Sequence, residues 1–331
     1  MPLPLLRLPE NLTVDVLRTF EMRELQGIAI SILSKRSSKA VQLLKLRSLA
    51  VNLHIGSSIS FEVTFNDPTQ NLFLDFYWNT KRRNTVLNIP KKVTVIYGNE
   101  IDDWRLSSSK MTMKDWYLHI EKTVDACFSI HFKFGFKIFD FESIKKTFKD
   151  VEVNELSIAQ NIPNNQSRMI LEEFLPISHD LRLERSPFQR NDGLRAILIQ
   201  NQECFRYGTY ERVSDFTLND MLICNFTCLS ITLPTWTDSD INRFLKLWIK
   251  GACRQLCQLL FIHSPEEWRW NQEEVLKEIS FQEVEGDRIL GMYDGEVQYP
   301  INGGCDIRAM DGRICTIEIE EPNFVMFYFY D

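Results

Sequence analysis

The sequence predicts a mixed fold, α+β passing into α/β. Three short N-terminal helices lead into a short antiparallel β-meander, then an array in which helix and strand alternate, closed by a C-terminal β-hairpin. Three observations predict this. Apolar residues repeat at helical spacing up to about residue 46 and at a period of two from Leu49 to Phe76, and beyond that they recur in evenly separated blocks.

The first helix is read from Leu12, Val16, Leu17 and Phe20. After a break near Glu21, a second is read from Leu25, Ala29, Ile32 and Leu33. Pro9 sits where a first helical turn tolerates it, and Glu10 suits the positive start of a helix. Ser37-Ser38 is expected to cap a third short helix carrying Val41 and Leu44. Gly27, inside the second helix, costs about 1 kcal/mol against Ala. A head of this size lies near the lower limit for independent stability, so part of its apolar surface should face a partner.

The meander is read from Leu49-Val51-Leu53-Ile55, Ile59-Phe61-Val63-Phe65 and Leu72-Leu74-Phe76, alternating with polar or small neighbours. Gly56-Ser57 and Asn66-Asp67-Pro68 are its turns, and Val93–Tyr97 is a further strand. Beyond it, strands are centred on Ile130, Leu156, Leu181, Phe205, Leu229 and Leu259, separated by 26, 25, 24, 24 and 30 residues. Helices are expected between them at Glu142–Lys149, Gln166–Leu175, Asp192–Gln200, Thr217–Cys224 and Asp238–Ile249. One strand and one helix per near-constant period is the mark of a leucine-rich-repeat-like array, although the asparagine-containing repeat signature is absent. Each unit cannot bury its own apolar face, so stacking supplies the core. A helix is expected over Glu266–Ile279, and Ile314–Ile319 and Phe324–Tyr330 read as closing strands, the last of which must be covered. The resulting division is a head at 1–46, a β-rich connecting segment at 47–100 and a repeat-like α/β domain at 101–331.

Composition narrows the function. The chain of 331 residues is 44% hydrophobic and 25% charged, values of a folded globular protein. A net charge of −7, with basic clusters only at Lys81–Arg83, Lys91-Lys92 and Lys145-Lys146, argues against nucleic-acid binding. The longest uncharged stretch, Met221–Thr237, contains Asn225 and Pro234 and is too polar to span a bilayer. Arg7 and Glu10 interrupt the apolar opening too soon for a secretory core, so a soluble chain of the cytosol and/or nucleus is expected. Its eight cysteines should then be reduced thiols.

No nucleotide-loop, nucleophile-elbow or metalloprotease motif occurs. His54 and His131 fall within strands, where a single imidazole is normally packed or solvated. The pairs Cys224/Cys228 and Cys253/Cys257 lack the turn setting of a zinc site and read as buried thiols. Trp236, Trp248, Trp268 and Trp270 read as core packing. The acidic clusters read as solvated faces. No catalytic residue, metal or cofactor is expected.

The head carries a further pattern: Leu8-Pro9-Glu10, Leu12, Val16-Leu17, Glu24-Leu25 and Leu33-Ser34-Lys35-Arg36. This resembles the F-box in its nematode form, though the Trp that often follows the basic residue is missing. Far along the chain, Asn242–Gly251 resembles the hallmark helix of the nematode type 2 F-box-associated domain, which would occupy about residues 190–262. Gly303–Arg308, Asp311-Gly312 and Thr316-Ile317 resemble the hairpin of the same family. The resemblance implies a non-catalytic receptor subunit of an SCF-type (Skp–cullin–F-box) ubiquitin ligase. Leu8, Pro9, Leu12, Val16, Leu17, Leu25, Leu33 and Lys35 would bind a Skp-type adaptor and through it a cullin. The larger domain would hold an unknown target protein on the outward positions of its strands, for which Ser157, Arg182, Glu184 and Arg206 are candidates. An alternative is a protein-interaction scaffold without ligase function.

Overall fold

The computed structural model describes residues 9–19, 35–44, 46–66, 71–78, 85–97, 100–106, 110–189, 191–211, 214–232, 234–262, 271–292, 297–320 and 324–330. Among them are nine α-helices and seventeen strands. The chain divides into two compact units, Met1–Ile162 and Pro163–Asp331.

The first unit opens with α1 (Glu10–Thr19) and α2 (Lys35–Gln42). Val14, Leu17, Ala40 and Val41 form a small buried cluster between these helices, with Leu44 and Leu46 packed against it. Pro9 precedes α1, and its carbonyl accepts the first helical bond from Thr13 N at 2.9 Å. The third predicted helix starts earlier than expected. Ser37 lies inside α2 and is fully buried rather than capping it, while Ser38 accepts from Gln42 one turn on. The second predicted helix, with Leu25 and Leu33, and also Leu8, lie outside the described residues.

Seven strands then build one mixed sheet: β1 (Leu46–Ile55), β2 (Ile59–Thr64), β3 (Leu72–Tyr77), β4 (Lys92–Tyr97), β5 (Glu100–Leu106), β6 (Val124–Phe132) and β7 (Val153–Ile158). Their order is β5-β4-β3-β2-β1-β6-β7. The first five form the antiparallel meander, and β6 adds to β1 in parallel, followed by β7. Val51, Leu53 and Ile55 are buried as their alternation predicts. Leu49, of the same phase, is 59% exposed, because the register with β6 shifts between Arg47 and Ala50. The buried face is covered by α3 (Met113–Thr123), whose Trp116 ring stands edge-on to Phe76 at 5.3 Å, and by α4 (Phe141–Phe148). Thr112 and Asp115 close a reciprocal capping box on α3, and Asp140 caps α4 through Ser143 N.

The second unit continues the alternation: α5 (Asn164–Phe174), β8 (Ser178–Leu183), α6 (Asn191–Leu198), β9 (Cys204–Tyr207), α7 (Leu218–Ile223), β10 (Cys228–Thr232), α8 (Asp238–Ile249) and β11 (Gln258–Ile262). Each of the six predicted strand centres lies on a strand and is at most 2% exposed. Within this unit Leu181, Phe205, Leu229 and Leu259 stand opposite one another across parallel strands. Capping boxes Thr217/Asp220 and Thr237/Asp240 start α7 and α8. Trp236 and Trp248 belong to the core, the first against Phe244 and Phe261 and the second against Phe329. Trp268 and Trp270 lie outside the described residues.

The predicted helix at 266–279 is shorter where it is described. Only Gln272–Val275 (α9) is helical, capped by Asn271; Leu276 closes it, and Glu278 takes a left-handed φ of 59°. Next come β12 (Phe281–Glu283), the hairpin of β13 (Asp287–Met292) and β14 (Val297–Asn302), β15 (Cys305–Arg308), β16 (Ile314–Glu320) and β17 (Phe324–Tyr330). The sheet of this unit runs β12-β15-β16-β17-β11-β10-β9-β8. The apolar β17 is therefore covered as expected: it sits between β16 and β11, antiparallel to both. Gly304 immediately precedes β15 at φ 115°, where a Cβ would stand 2.6 Å from the Ile317 carbonyl oxygen, so only glycine fits. Among the described residues no helix is long and apolar enough to cross a membrane.

Candidate functional site

Alternation along the strands of the second unit separates two faces. Phe205, Tyr207, Leu229, Ile231, Leu259, Phe261 and Phe327 are buried, and Phe205, Tyr207 and Phe261 meet Phe216, Phe226 and Trp236 of the connections. Their neighbours along each strand point the other way and are largely half-exposed. This second face is the open one.

Register aligns its residues in rows. One row runs Arg182, Arg206, Ser230, Leu260, Met326, Glu318 across six strands. It is basic at one end, apolar in the middle and acidic at the other. Arg206 is held by Asp180, 3.4 Å away, a carboxylate only 8% exposed that also accepts from Cys204 N at 3.1 Å. Glu318 accepts from the Tyr328 hydroxyl at 3.1 Å. A second row runs Cys204, Cys228, Gln258, Tyr328, Thr316, Asp306, and along it the face is closed at Tyr328 and Thr316, which are buried. At its far end the Arg288 guanidinium forms two 2.9 Å bonds to Asp306, and this contact raises the arginine's pKa further above its ordinary value.

A cavity of about 150 Å³ opens where β8 and β9 end. Glu184, Arg185, Ser186 and Phe188 line it from the connection after β8, and Tyr207, Gly208, Ser214 and Asp215 line it from the end of β9 and the connection to α7. The Tyr207 hydroxyl donates to Asp215 and accepts from Ser186 N, tying the two connections together. The Arg185 guanidinium donates to Asn164 at 2.7 Å. Gly208 has φ 99°, and a Cβ there would lie 2.6 Å from the Thr232 carbonyl oxygen, so the chain passes closer to β10 than any other residue allows.

The residues predicted from sequence to bind partners occupy several different settings. Arg182 is exposed, Arg206 is its lateral neighbour, and Glu184 reaches the cavity rim. Ser157 is 7% exposed, which corrects its assignment as an outward surface position: it belongs to a run of three buried residues at the end of β7. In the head, Pro9 is exposed, Leu12 is 46% exposed and Val16 is half-exposed. Leu17 is 2% exposed, so it packs α1 on α2 instead of offering a contact outward. Lys35 opens α2. Leu8, Leu25 and Leu33 lie outside the described residues.

Sequence reasoning missed Leu260, Met326 and Glu318, because their membership of one row depends on β17 entering beside β11. Their outward phase in alternating strands was the signal available. It also treated His54 and His131 singly. They are lateral partners on β1 and β6 with ring centres 5.0 Å apart. His54 Nε2 meets Glu62 Oε2 at 2.9 Å and holds that carboxyl below its ordinary pKa, while burial raises Asp75 on the same face. Among the described residues no group of three or more His, Cys, Asp or Glu is placed to hold a metal ion.

Residues 193–261 match the family described as F-box associated. The match begins in α6 and ends in β11, and it contains the decapeptide Asn242–Gly251, Arg206, Ser230, Leu260 and the cavity residues from Tyr207 to Asp215. No curated protein and no solved structure gives a match.

Proposed function

We propose that the protein is the substrate-recognition subunit of an SCF-type ubiquitin ligase. Its head binds a Skp-type adaptor and through it a cullin, and its second unit holds a target protein on the open face of the sheet. The observation that carries this reading is the F-box-associated segment at residues 193–261, because it encloses the centre of that face. We read the alternating units as a leucine-rich-repeat-like array, whose strands offer an extended surface of the kind solenoids use for partners. The receptor catalyses no bond-forming step on its target; transfer of ubiquitin falls to other subunits. It acts in the cytosol and/or nucleus.

The row from Arg182 to Glu318 favours a target segment lying across the strands. An acidic group would meet Arg182 and Arg206, an apolar side chain Leu260 and Met326, and a basic group Glu318. In the head, Pro9, Leu12 and Val16 keep exposed surface, and each fully buried Leu or Val contributes roughly 1.5–3 kcal/mol before association costs. A second reading, an interaction scaffold without adaptor affinity, is favoured by Leu17, whose burial removes it from the docking set. Titration of a purified Skp-type adaptor against the full chain separates the two. The ligase reading expects binding that the double change Leu8→Ala, Pro9→Ala weakens at least tenfold, with the circular dichroism spectrum unchanged. No adaptor binding by the unaltered chain would leave the scaffold.

A further inference from the structure

Cys204 and Cys228 stand one repeat apart in sequence and directly opposite each other on the parallel strands β9 and β10. Both belong to the open face, both are half-exposed, and neither is in a disulfide. Adjacent strands lie roughly 4.8 Å apart, inside the range of about 4.4–6.8 Å between α-carbons that a disulfide bridges. The two side chains leave the sheet on the same side, and the Cys204 thiol hydrogen-bonds to Cys228, the largest reason its pKa is raised. Asp180 and Arg206 flank the pair.

The other close cysteines differ. Burial pushes Cys224 up to about 12 and Cys253 up to about 11, and Cys253 Sγ is engaged with the Met221 carbonyl at 3.6 Å. Cys315 is wholly buried, with its pKa also raised by burial. Among the cysteines, then, the pair on β9 and β10 combines lateral register, mutual contact and access from solvent.

We propose that Cys204 and Cys228 form a redox-active dithiol site, which a small-molecule disulfide oxidant closes to an intramolecular disulfide and a small thiol reopens. The thiolate of Cys228 attacks one sulfur of the oxidant, forming a mixed disulfide and expelling one small thiolate. Cys204 then loses its proton and attacks the Cys228 sulfur of that mixed disulfide, expelling the second small thiolate. The protein loses two electrons and two protons, and the oxidant is reduced to two thiols. A bridge between directly opposed parallel strands requires small backbone shifts, so it belongs to the labile, readily reduced class of disulfides. The site stands independently of what the open face binds.

The test is oxidation of the full chain with oxidised glutathione, quenched by alkylation and read by non-reducing peptide mass spectrometry. The expected product links the Cys204 and Cys228 peptides, and reduced glutathione reverses it. The Cys204→Ser variant should instead stop at a stable glutathione adduct on Cys228. A wild-type chain that accumulates the adduct on Cys228 without the link, links Cys228 to any other cysteine, or leaves both thiols unmodified while Cys127 reacts would overturn the proposal.

Discussion

His54 and Glu62 show how a sheet face can tune a single carboxylate. The imidazole donates to Glu62 across neighbouring strands, and Asn52 adds to the stabilisation of its charged form. Burial works against this pair without overcoming it, so the Glu62 pKa falls below the ordinary 4.5. A depressed carboxyl contributes stability that is present above its unfolded pKa and lost as pH falls through the folded one. Asp75, raised by burial above 3.8, has the opposite sign: its contribution is present at low pH and is lost as pH rises through the raised value. Urea denaturation of Glu62→Gln should therefore show a lower midpoint than the unaltered chain at neutral pH and a smaller further loss on acidification to about pH 3. Equal acid sensitivity in the two proteins would mean that Glu62 is not the group concerned. Alternation in β1 and β6 put both histidines on the polar face, but not side by side; their pairing came only from the parallel addition of β6 to β1.

At the scale of the element, the near-constant spacing was legible because each predicted centre is a buried apolar residue on a strand. Contacts 24 residues apart tie the units edge to edge: Cys204 N to Asp180, Thr227 Oγ1 to the Glu203 carbonyl, and the Asn225 amide to Asn201. The last pair is an asparagine contact between successive units, formed without the conventional asparagine signature. The closure could not be read from the sequence. Phe324–Tyr330 called for cover, yet nothing local in it selects β11 as a neighbour; that choice is a long-range pairing. The consequence reaches α8. Its Trp248 is fully buried, 5.2 Å from Phe329 on β17, and the Arg313 guanidinium lies 5.3 Å over the same ring. Trp248→Ala should cost about 3–5 kcal/mol, the range for removing a large aromatic side chain from a core. Chemical denaturation measures it, and a loss below about 1 kcal/mol would show that α8 is not locked onto the closing strand.

At the scale of the whole molecule, the proposed function gives the two units different partners, each met through its own surface. Among the head residues with described burial, Pro9, Leu12 and Val16 are at least partly accessible and Leu17 is committed to holding α1 on α2. The second unit presents a charge-graded row across six strands, within which the F-box-associated segment supplies Arg206, Ser230 and Leu260. If these surfaces act separately, damage to one should spare the other, because neither change touches a buried group of the opposite unit. Quantitative affinity capture from cells tests this most directly, comparing the full chain with Leu8→Ala, Pro9→Ala and with Arg182→Glu, Leu260→Glu. The head variant should lose adaptor and cullin while retaining its targets, and the sheet variant should lose its targets while retaining adaptor and cullin. Parallel loss of both sets in folded variants, or retention of targets by the sheet variant, would contradict the assignment of separate surfaces.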